Sequence, residues 1–287
     1  MRPSVLFLLA YLAFPGSAAA QDDMSGASPP SELAIGGFQY GGDQANRVRV
    51  TDYRPSRNLP VIVFVPAHPA SGRVSRIRPD WIPDLAVSRH MVVAWIEPHA
   101  HVDRRETDFL ASVADGVAAL AQKSHRYGFS NERIVLIGVG EGAHTAALLA
   151  TDAHLLPARG VPLEWVKGML SLDGSGFDVL QWRSRLDPRR DGALLKVLPD
   201  DPALSPMAQA DAPNAAAFLF VTVKDDRAAT DETLSFANRL TQAGSRVSVL
   251  PMVRTSERLP KSFPGSENNP QRDALAAFML GGLAAPH

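Results

Sequence analysis

The sequence predicts an α/β protein with a mostly parallel, twisted central sheet that is flanked by helices. Apolar runs alternate with helical patterns along the chain, which is typical of parallel strands joined by right-handed crossovers. Several runs are apolar without interruption, as expected for strands that are buried on both faces. The predicted strands are residues 47–53, 59–66, 90–96, 133–138, 166–172, 216–223 and 246–252.

Helices are predicted between most of these strands. In residues 106–123, leucines and valines recur on one face at helical spacing. Thr230 is expected to cap a later helix that ends before Gly244. Pro270 is expected to open a last helix that Gly281 ends.

The segment 181–213 is rich in proline, aspartate and arginine, and its periodicity is weak. Two interpretations stay open from the sequence. The segment forms either an irregular cap over the carboxyl ends of the strands or a long surface excursion. Ligands of such sheets bind at those strand ends, so the first interpretation would place it beside the functional site.

Composition narrows the function. The chain has 287 residues, is 45% hydrophobic and carries a net charge of −1. A balance so close to neutral gives no electrostatic case for binding nucleic acid or an anionic membrane surface. The chain has no cysteine, which excludes a thiol nucleophile, a disulfide framework and a cysteine metal site. We expect one domain over residues 36–287, a small-molecule or protein partner, and no cofactor.

The first twenty residues read as a secretory signal peptide. Arg2 precedes an apolar run of about ten residues, and a small-residue cleavage site lies before Gln21. That run is too short to span a bilayer comfortably, and no other stretch resembles a transmembrane helix. The sequence therefore predicts a secreted or periplasmic protein, with residues 21–35 as a mobile leader.

The stretch RIVLIGVGEGAHTAALLA, residues 133–150, leads from an apolar run through a glycine-rich turn into a helical pattern. Gly138, Gly140 and Ala143 fit the G-x-G-x-x-A fingerprint of dinucleotide-binding folds. Two observations oppose that interpretation. Several strands precede this turn, and no acid ends the next strand at the required spacing. The same turn also has the shape of the G-x-S-x-G nucleophile elbow.

From about residue 38 to residue 280 the chain resembles the α/β-hydrolase family. The resemblance is to secreted bacterial carboxylesterases of the feruloyl-esterase-like and hormone-sensitive-lipase-like kind. LPVIVFVPAHPASGR resembles the strand and oxyanion loop, HRYGFSNERIVLIGVGEGAH the strand and elbow, and TVKDDR the segment that ends in the acid. The resemblance implies an α/β-hydrolase fold, with a crevice at the carboxyl ends of its strands.

The resemblance also implies where the catalytic groups should be, and most of them are altered. The nucleophile position falls on Gly140, which has no side chain. The oxyanion loop contains Pro69, which has no N–H to donate. The loop at residues 253–269, where the family has its histidine, contains none. Asp226 aligns with the acid.

We therefore predict a catalytically degenerate hydrolase that binds a small molecule or a partner in the inherited crevice. The candidate ligand-binding residues are His68, Gly140, Glu141 and His144. The low count of intact catalytic parts disfavours Ser-His-Asp hydrolysis, although a residual carboxylesterase is kept as a weaker hypothesis.

The alternative is a carboxylic-ester hydrolase with rebuilt chemistry. Glu141, beside the elbow apex, is a candidate catalytic carboxylate. His68, His99 and His101 follow two strand ends and form a candidate metal site that would activate water. Ser175 is a further candidate for a replacement nucleophile, and Asp173 for a site acid, because both follow the strand at 166–172.

Overall fold

The structure is a computed structural model. The structure describes residues 35–51, 58–71, 86, 89–99, 102–211, 213–223, 227–252 and 270–281. The predicted signal peptide, nearly all of the predicted leader, and the loop at 253–269 lie outside the described residues. No helix in the described part of the chain is both long and apolar enough to cross a membrane.

Within the described residues, eight strands form one sheet in the order β1-β2-β4-β3-β5-β6-β7-β8. Strand β2 runs antiparallel to both β1 and β4, and the strands from β4 across to β8 pair in parallel. The predicted α/β class with a mostly parallel sheet is confirmed. The strands are β1 Ile35–Gln39, β2 Arg47–Thr51, β3 Leu59–Val65, β4 Val92–Glu97, β5 Phe129–Val139, β6 Val166–Leu172, β7 Ala217–Val223 and β8 Arg246–Met252.

The helices lie between these strands as expected. The described α-helices of four or more residues are α1 Glu106–Gln122, α2 Ser124–Tyr127, α3 Gly142–Thr151, α4 Val179–Arg185, α5 Gly192–Val197, α6 Pro206–Gln209, α7 Arg227–Gln242 and α8 Pro270–Gly281.

One helix boundary was predicted wrongly. Thr230 does not cap α7, because this helix already begins at Arg227 and Thr230 lies inside its first turn. Arg227 and Asp231, one turn apart, form an exposed ion pair of 3.8 Å in this extra turn, which contributes little to its stability. The predicted end is correct: Gly244 follows the helix with a φ of +91°, which glycine adopts readily.

The sheet is buried on both faces, which explains the uninterrupted apolar runs. On one face, Phe177, Phe218, Phe220 and Phe236 pack ring against ring between the sheet and α7. On the other face, α8 covers the central strands with buried leucine and methionine side chains. Two closed faces leave the carboxyl ends of the strands as the place where a ligand can approach.

The segment 181–213 is a largely helical cap. It carries α5, α6 and the end of α4, and α6 contacts α3 while α5 contacts the turn Pro69–Ser71. Long-range hydrogen bonds fix it: the Val179 amide donates to the Ser205 hydroxyl, and the Met207 amide donates to the Phe177 carbonyl. Of the two interpretations of this segment, the structure supports a cap above the strand ends.

Candidate functional site

The turn between β5 and α3 has the backbone of a nucleophile elbow. Gly140 stands at its apex with a φ of +55°, and its amide donates to the Leu172 carbonyl at the end of β6. A Cβ on Gly138 would overlap the backbone of Ala143, and a Cβ on Gly142 would lie 2.8 Å from the Val65 carbonyl oxygen. Strand and helix are therefore packed so closely that both flanking positions require glycine.

The apex itself is open. A Cβ built on Gly140 meets no heavy atom within 4 Å, in contrast to its two glycine neighbours. The space that a nucleophilic side chain would use is therefore present, whereas the side chain is not. Of the three glycines in the turn, Gly140 is favoured by its backbone conformation, whereas Gly138 and Gly142 are required by packing.

His68 ties down the loop where an oxyanion hole would be expected. Its side chain is buried, Nε2–H donates to the Arg104 carbonyl at 2.7 Å, and Nδ1 accepts from the Ala70 amide at 3.0 Å. Burial lowers the pKa of His68 and favours this neutral tautomer. Both ring nitrogens are therefore engaged within the protein, and the predicted ligand contact of His68 stays a prediction.

His144, in the first turn of α3, is also a buried histidine. It is 1% exposed, its Nδ1–H donates to the Gly176 carbonyl at 2.6 Å, and its ring packs on Trp182. Burial lowers the pKa of His144 to about 4, against the opposite effect of the Gly176 hydrogen bond. The imidazole is therefore neutral at pH 7, and its Nε2 is left as a hydrogen-bond acceptor.

Sequence reasoning missed Glu106, the first residue of α1. It is 1% exposed, and its Oε1 lies 3.9 Å from Nε2 of His144, which is longer than a hydrogen bond. No donor among the described residues reaches either carboxylate oxygen. Burial, and next the charge of Glu141, raise the pKa of Glu106 to about 8. The apolar stripe of α1, continued back by one turn, would have identified this buried position.

A small crevice lies above this buried pair, between the elbow and the cap. Its volume is about 190 Å³. Glu141 and Ser175 contribute to its floor, and α7 closes one side with two alanines. The cap contributes Trp182, Arg185, Leu186, Arg190 and Asp191 to its walls. Of the predicted ligand-binding side chains, Glu141 is the one that lines this crevice.

The described candidates for the metal site, His68 and His99, form hydrogen bonds with different partners. Nδ1–H of His99 donates to the Asp43 carboxylate at 2.7 Å, and both side chains are partly exposed. Both nitrogens of His68 are in hydrogen bonds, as described above. His101 lies outside the described residues. In the described part of the chain, no group of three histidine, aspartate or glutamate side chains is arranged to hold a metal ion.

Of the two candidate site acids, Asp173 is among the described residues and Asp226 is not. Asp226 lies outside the described residues, so its predicted role stays a prediction. Asp173 follows β6 with a φ of +52°, and its amide donates to the Val221 carbonyl. This repeats, one strand further along the sheet, the arrangement in which the Gly140 amide donates to Leu172. A positive φ on a residue other than glycine is costly, which marks this strand end as constrained.

Comparison with solved structures identifies the fold. A carboxylesterase cloned from a metagenomic library, EstE1, superposes with a TM-score of 0.66 at 16% identity, over 90% of this chain and 92% of that chain. An esterase of Pyrobaculum calidifontis gives 0.66 at 18%, over 88% and 87%. Est2 of Thermogutta terrifontis gives 0.62 at 19%, over 88% and 94%.

These similarities establish the α/β-hydrolase fold, as predicted from the elbow and its surroundings. At identities below 20% they establish the fold and not the activity. No protein-family model matches the sequence, and neither does any curated protein. The function of the chain has therefore to be argued from the residues of its own crevice.

Proposed function

We propose that this protein is a catalytically degenerate α/β-hydrolase that binds a small molecule in the crevice between elbow and cap. The observation that carries the proposal is the elbow itself, whose backbone is intact while its apex is Gly140. Acyl transfer on this fold requires a hydroxyl at that apex and a histidine that takes its proton. The hydroxyl is missing, because the residue at the apex is Gly140.

The remaining residues around the apex support binding over hydrolysis. His68 holds both of its nitrogens in hydrogen bonds within the protein, and His144 uses Nδ1 in the same way. His68 therefore has no ring nitrogen left to act as a base, and His144, which keeps Nε2 as an acceptor, is only 1% exposed. The Pro69–Ser71 turn begins with a residue that has no N–H, which removes one donor from the loop that would hold an oxyanion.

The test is an activity assay on the purified chain. We expect no turnover of p-nitrophenyl acetate, butyrate or octanoate above the uncatalysed rate, and no stoichiometric labelling by a fluorophosphonate probe. Ser175 is the serine that lines the crevice, so Ser175→Ala is the matched variant. Labelling of the wild-type protein that disappears in Ser175→Ala would contradict the proposal and identify a replacement nucleophile.

Two further measurements distinguish the proposed binding protein from a hydrolase that uses a metal ion or the Glu141 carboxylate. Turnover that is abolished by a chelator, together with stoichiometric metal in the purified protein, would favour a metal-dependent hydrolase. Turnover that is insensitive to chelator and is lost in Glu141→Gln would favour carboxylate catalysis. We expect neither. For the metal-dependent version, the described residues contain no group of three histidine, aspartate or glutamate side chains that could hold a metal ion.

We also propose that the protein is exported. The support is the sequence of residues 1–20, with its basic start, apolar run and small-residue cleavage site. Expression of the full chain in a Gram-negative host, followed by periplasmic extraction and N-terminal sequencing, tests this. The expected mature protein begins at Gln21, and retention of Met1 in a cytosolic fraction would contradict export.

A further inference from the structure

We propose that the crevice binds a small organic carboxylate and that Arg185 is the residue that binds its negative group. This inference rests on the proposed function, because it names the chemical class of ligand for the same crevice. It is carried by the buried carboxylate that fixes Arg185, by the donors that Arg185 keeps for a ligand, and by the walls beside it.

Arg185 is held from behind by a buried carboxylate. It is the last residue of α4, and its Nη2 donates to Oε2 of Glu232 on α7. The Glu232 side chain is fully buried, whereas the Arg185 side chain is 30% exposed. Oε1 of Glu232 accepts from the Asp178 amide at 2.8 Å, so one carboxylate holds both ends of α4. The guanidinium is therefore fixed in place before a ligand arrives, which lowers the cost of binding.

The bond to Glu232 leaves Arg185 with donors for a ligand. A guanidinium has five N–H groups, and Arg185 donates one of them, on Nη2, to Glu232. Arg185 makes no other hydrogen bond to the residues that the structure describes. Because the bonded carboxylate is buried, the exposed part of Arg185 is the part that Glu232 does not use. The planar donor set of a guanidinium matches the two oxygens of a carboxylate.

Two cavities border Arg185, and their charges distinguish them. One is the crevice, where the second cation is Arg190. The other is a neighbouring pocket of about 490 Å³, whose charged residues besides Arg185 are Asp178, Asp231 and Glu232. Three carboxylates around one guanidinium make that pocket unfavourable for an anion. The crevice is therefore the side on which Arg185 can receive a carboxylate.

The other charges of the crevice have partners within the protein. Arg190 approaches Asp191 through Nε at 3.2 Å and through Nη2 at 3.1 Å, and Glu141 also interacts within the chain. The lining contains two arginines and two carboxylates, so their formal charges cancel. Selection between ligands therefore depends on direct hydrogen bonds to a fixed group, which Arg185 provides, and not on net charge.

The remaining walls suit the rest of such a ligand. Ser175 lines the crevice with a hydroxyl that can donate to a carboxylate oxygen. Leu186 and Trp182 provide apolar surface, and the Trp182 ring is held by packing on His144, with ring centroids 5.3 Å apart. At about 190 Å³ the crevice is smaller than the ~300–1,000 Å³ typical of sites for drug-sized molecules, so the alkyl part of the ligand is short.

The experiment compares pentanoate, pentanamide and pentylamine on the wild-type protein by NMR titration at pH 7. A carboxyl ionises near pH ~4.3, so pentanoate is charged, whereas pentanamide has the same shape and no charge. We expect pentanoate to bind at least fivefold more tightly than either of the other probes. This preference should decrease when salt is raised from 50 mM to 500 mM, because Arg185 is partly exposed. Equal affinities, tighter binding of the amide or the amine, or no binding of pentanoate would overturn the inference.

Matched variants assign the effect to one arginine. Arg185→Lys keeps a positive charge beside Glu232 and removes the planar donor set, so pentanoate should bind within twofold of pentanamide. Arg190→Lys makes the same change at the other arginine of the crevice and should leave the fivefold preference unchanged. A preference that persists in Arg185→Lys, or that is lost equally in both variants, would contradict the assignment. Thermal unfolding shows whether both variants are folded, and the wild-type probe series decides the ligand class without them.

This inference and the proposed function fail in different ways. Turnover of p-nitrophenyl esters would contradict the non-catalytic function and would leave the preference among the three probes measurable. A preference for the amide or the amine with no ester turnover would overturn the ligand class alone. The two results are obtained from separate assays on one preparation of the protein.

Discussion

Replacement of Glu106 by glutamine should increase the free energy of unfolding above neutral pH. The pKa of this buried carboxyl is raised from 4.5 to about 8, first by burial and then by Glu141. The folded protein therefore keeps a proton that the unfolded chain releases near pH 4.5. The stability from this group is fully present below pH 4.5 and is lost as the pH rises to 8. At about 1.4 kcal/mol for each pH unit, the loss is about 5 kcal/mol.

His144 acts with the opposite sign. Its pKa is lowered from 6.5 to about 4, so its contribution is present above pH 6.5 and is lost as the pH falls to 4. Between pH 4.5 and 6.5 the two slopes cancel, and this pair by itself predicts a plateau of maximal stability there. In Glu106→Gln the loss on the alkaline side should disappear, since an amide does not ionise and its N–H can face Nε2 of His144.

Urea unfolding at pH 5.5, 7 and 8.5 measures the effect. Because the two slopes cancel up to pH 6.5, we expect this pair to cost the wild-type protein about 2 kcal/mol between pH 5.5 and 8.5. In Glu106→Gln the slope of His144 is left, so this variant should gain about 1.4 kcal/mol up to pH 6.5 and stay level above it. The exposed Glu132 of β5 supplies the control, because Glu132→Gln should follow the wild-type profile. Parallel profiles for wild type and Glu106→Gln would refute the reasoning, since they would show that Glu106 ionises alike in both states.

Three further substitutions test the elbow and its supports by urea unfolding. Gly138→Ala should destabilise the protein by about 3 kcal/mol or more, because the added Cβ would overlap the next helix. Gly140→Ala should cost only about 1–2 kcal/mol, because alanine would have to adopt a positive φ. Equal losses in the two variants would contradict this. His68→Ala should cost about 2–4 kcal/mol through two lost hydrogen bonds and a cavity. Glu232→Ala should cost about 2–4 kcal/mol by releasing Arg185, and a change below 0.5 kcal/mol would refute that.

The parallel strands were predictable because burial on both faces produces an unmistakable pattern. Strands β6 and β8 have the predicted bounds, residue for residue. The β5 strand was predicted too short, since it begins at Phe129 and includes the polar stretch 130–132, which reads as a loop. Leu59 pairs with Phe129 at that end, so a partner strand extends β5 where its own sequence is ambiguous.

The site was less predictable than the sheet. The edge strand β1 contains two glycines, which disfavour a strand prediction. The predicted leader therefore extends to Ile35, although this residue pairs with Thr51 in the sheet. The cap depends on hydrogen bonds between distant residues, which no local pattern reveals. Histidines are candidate ligands because of their chemistry. In the structure, however, His68 and His144 donate hydrogen bonds to backbone carbonyls. Every residue has a backbone carbonyl, so the sequence gives no sign of such a partner.

The backbone of Gly140 has a consequence for how this protein could change over generations. A serine at that apex would adopt a left-handed conformation at a cost of about 1–2 kcal/mol, which glycine avoids. A change of Gly140 to serine would therefore reduce stability at once, whatever a hydroxyl at this position could later do. Selection for stability alone opposes that change. Gly140 is therefore favoured by its backbone conformation, even though the space for a side chain is open.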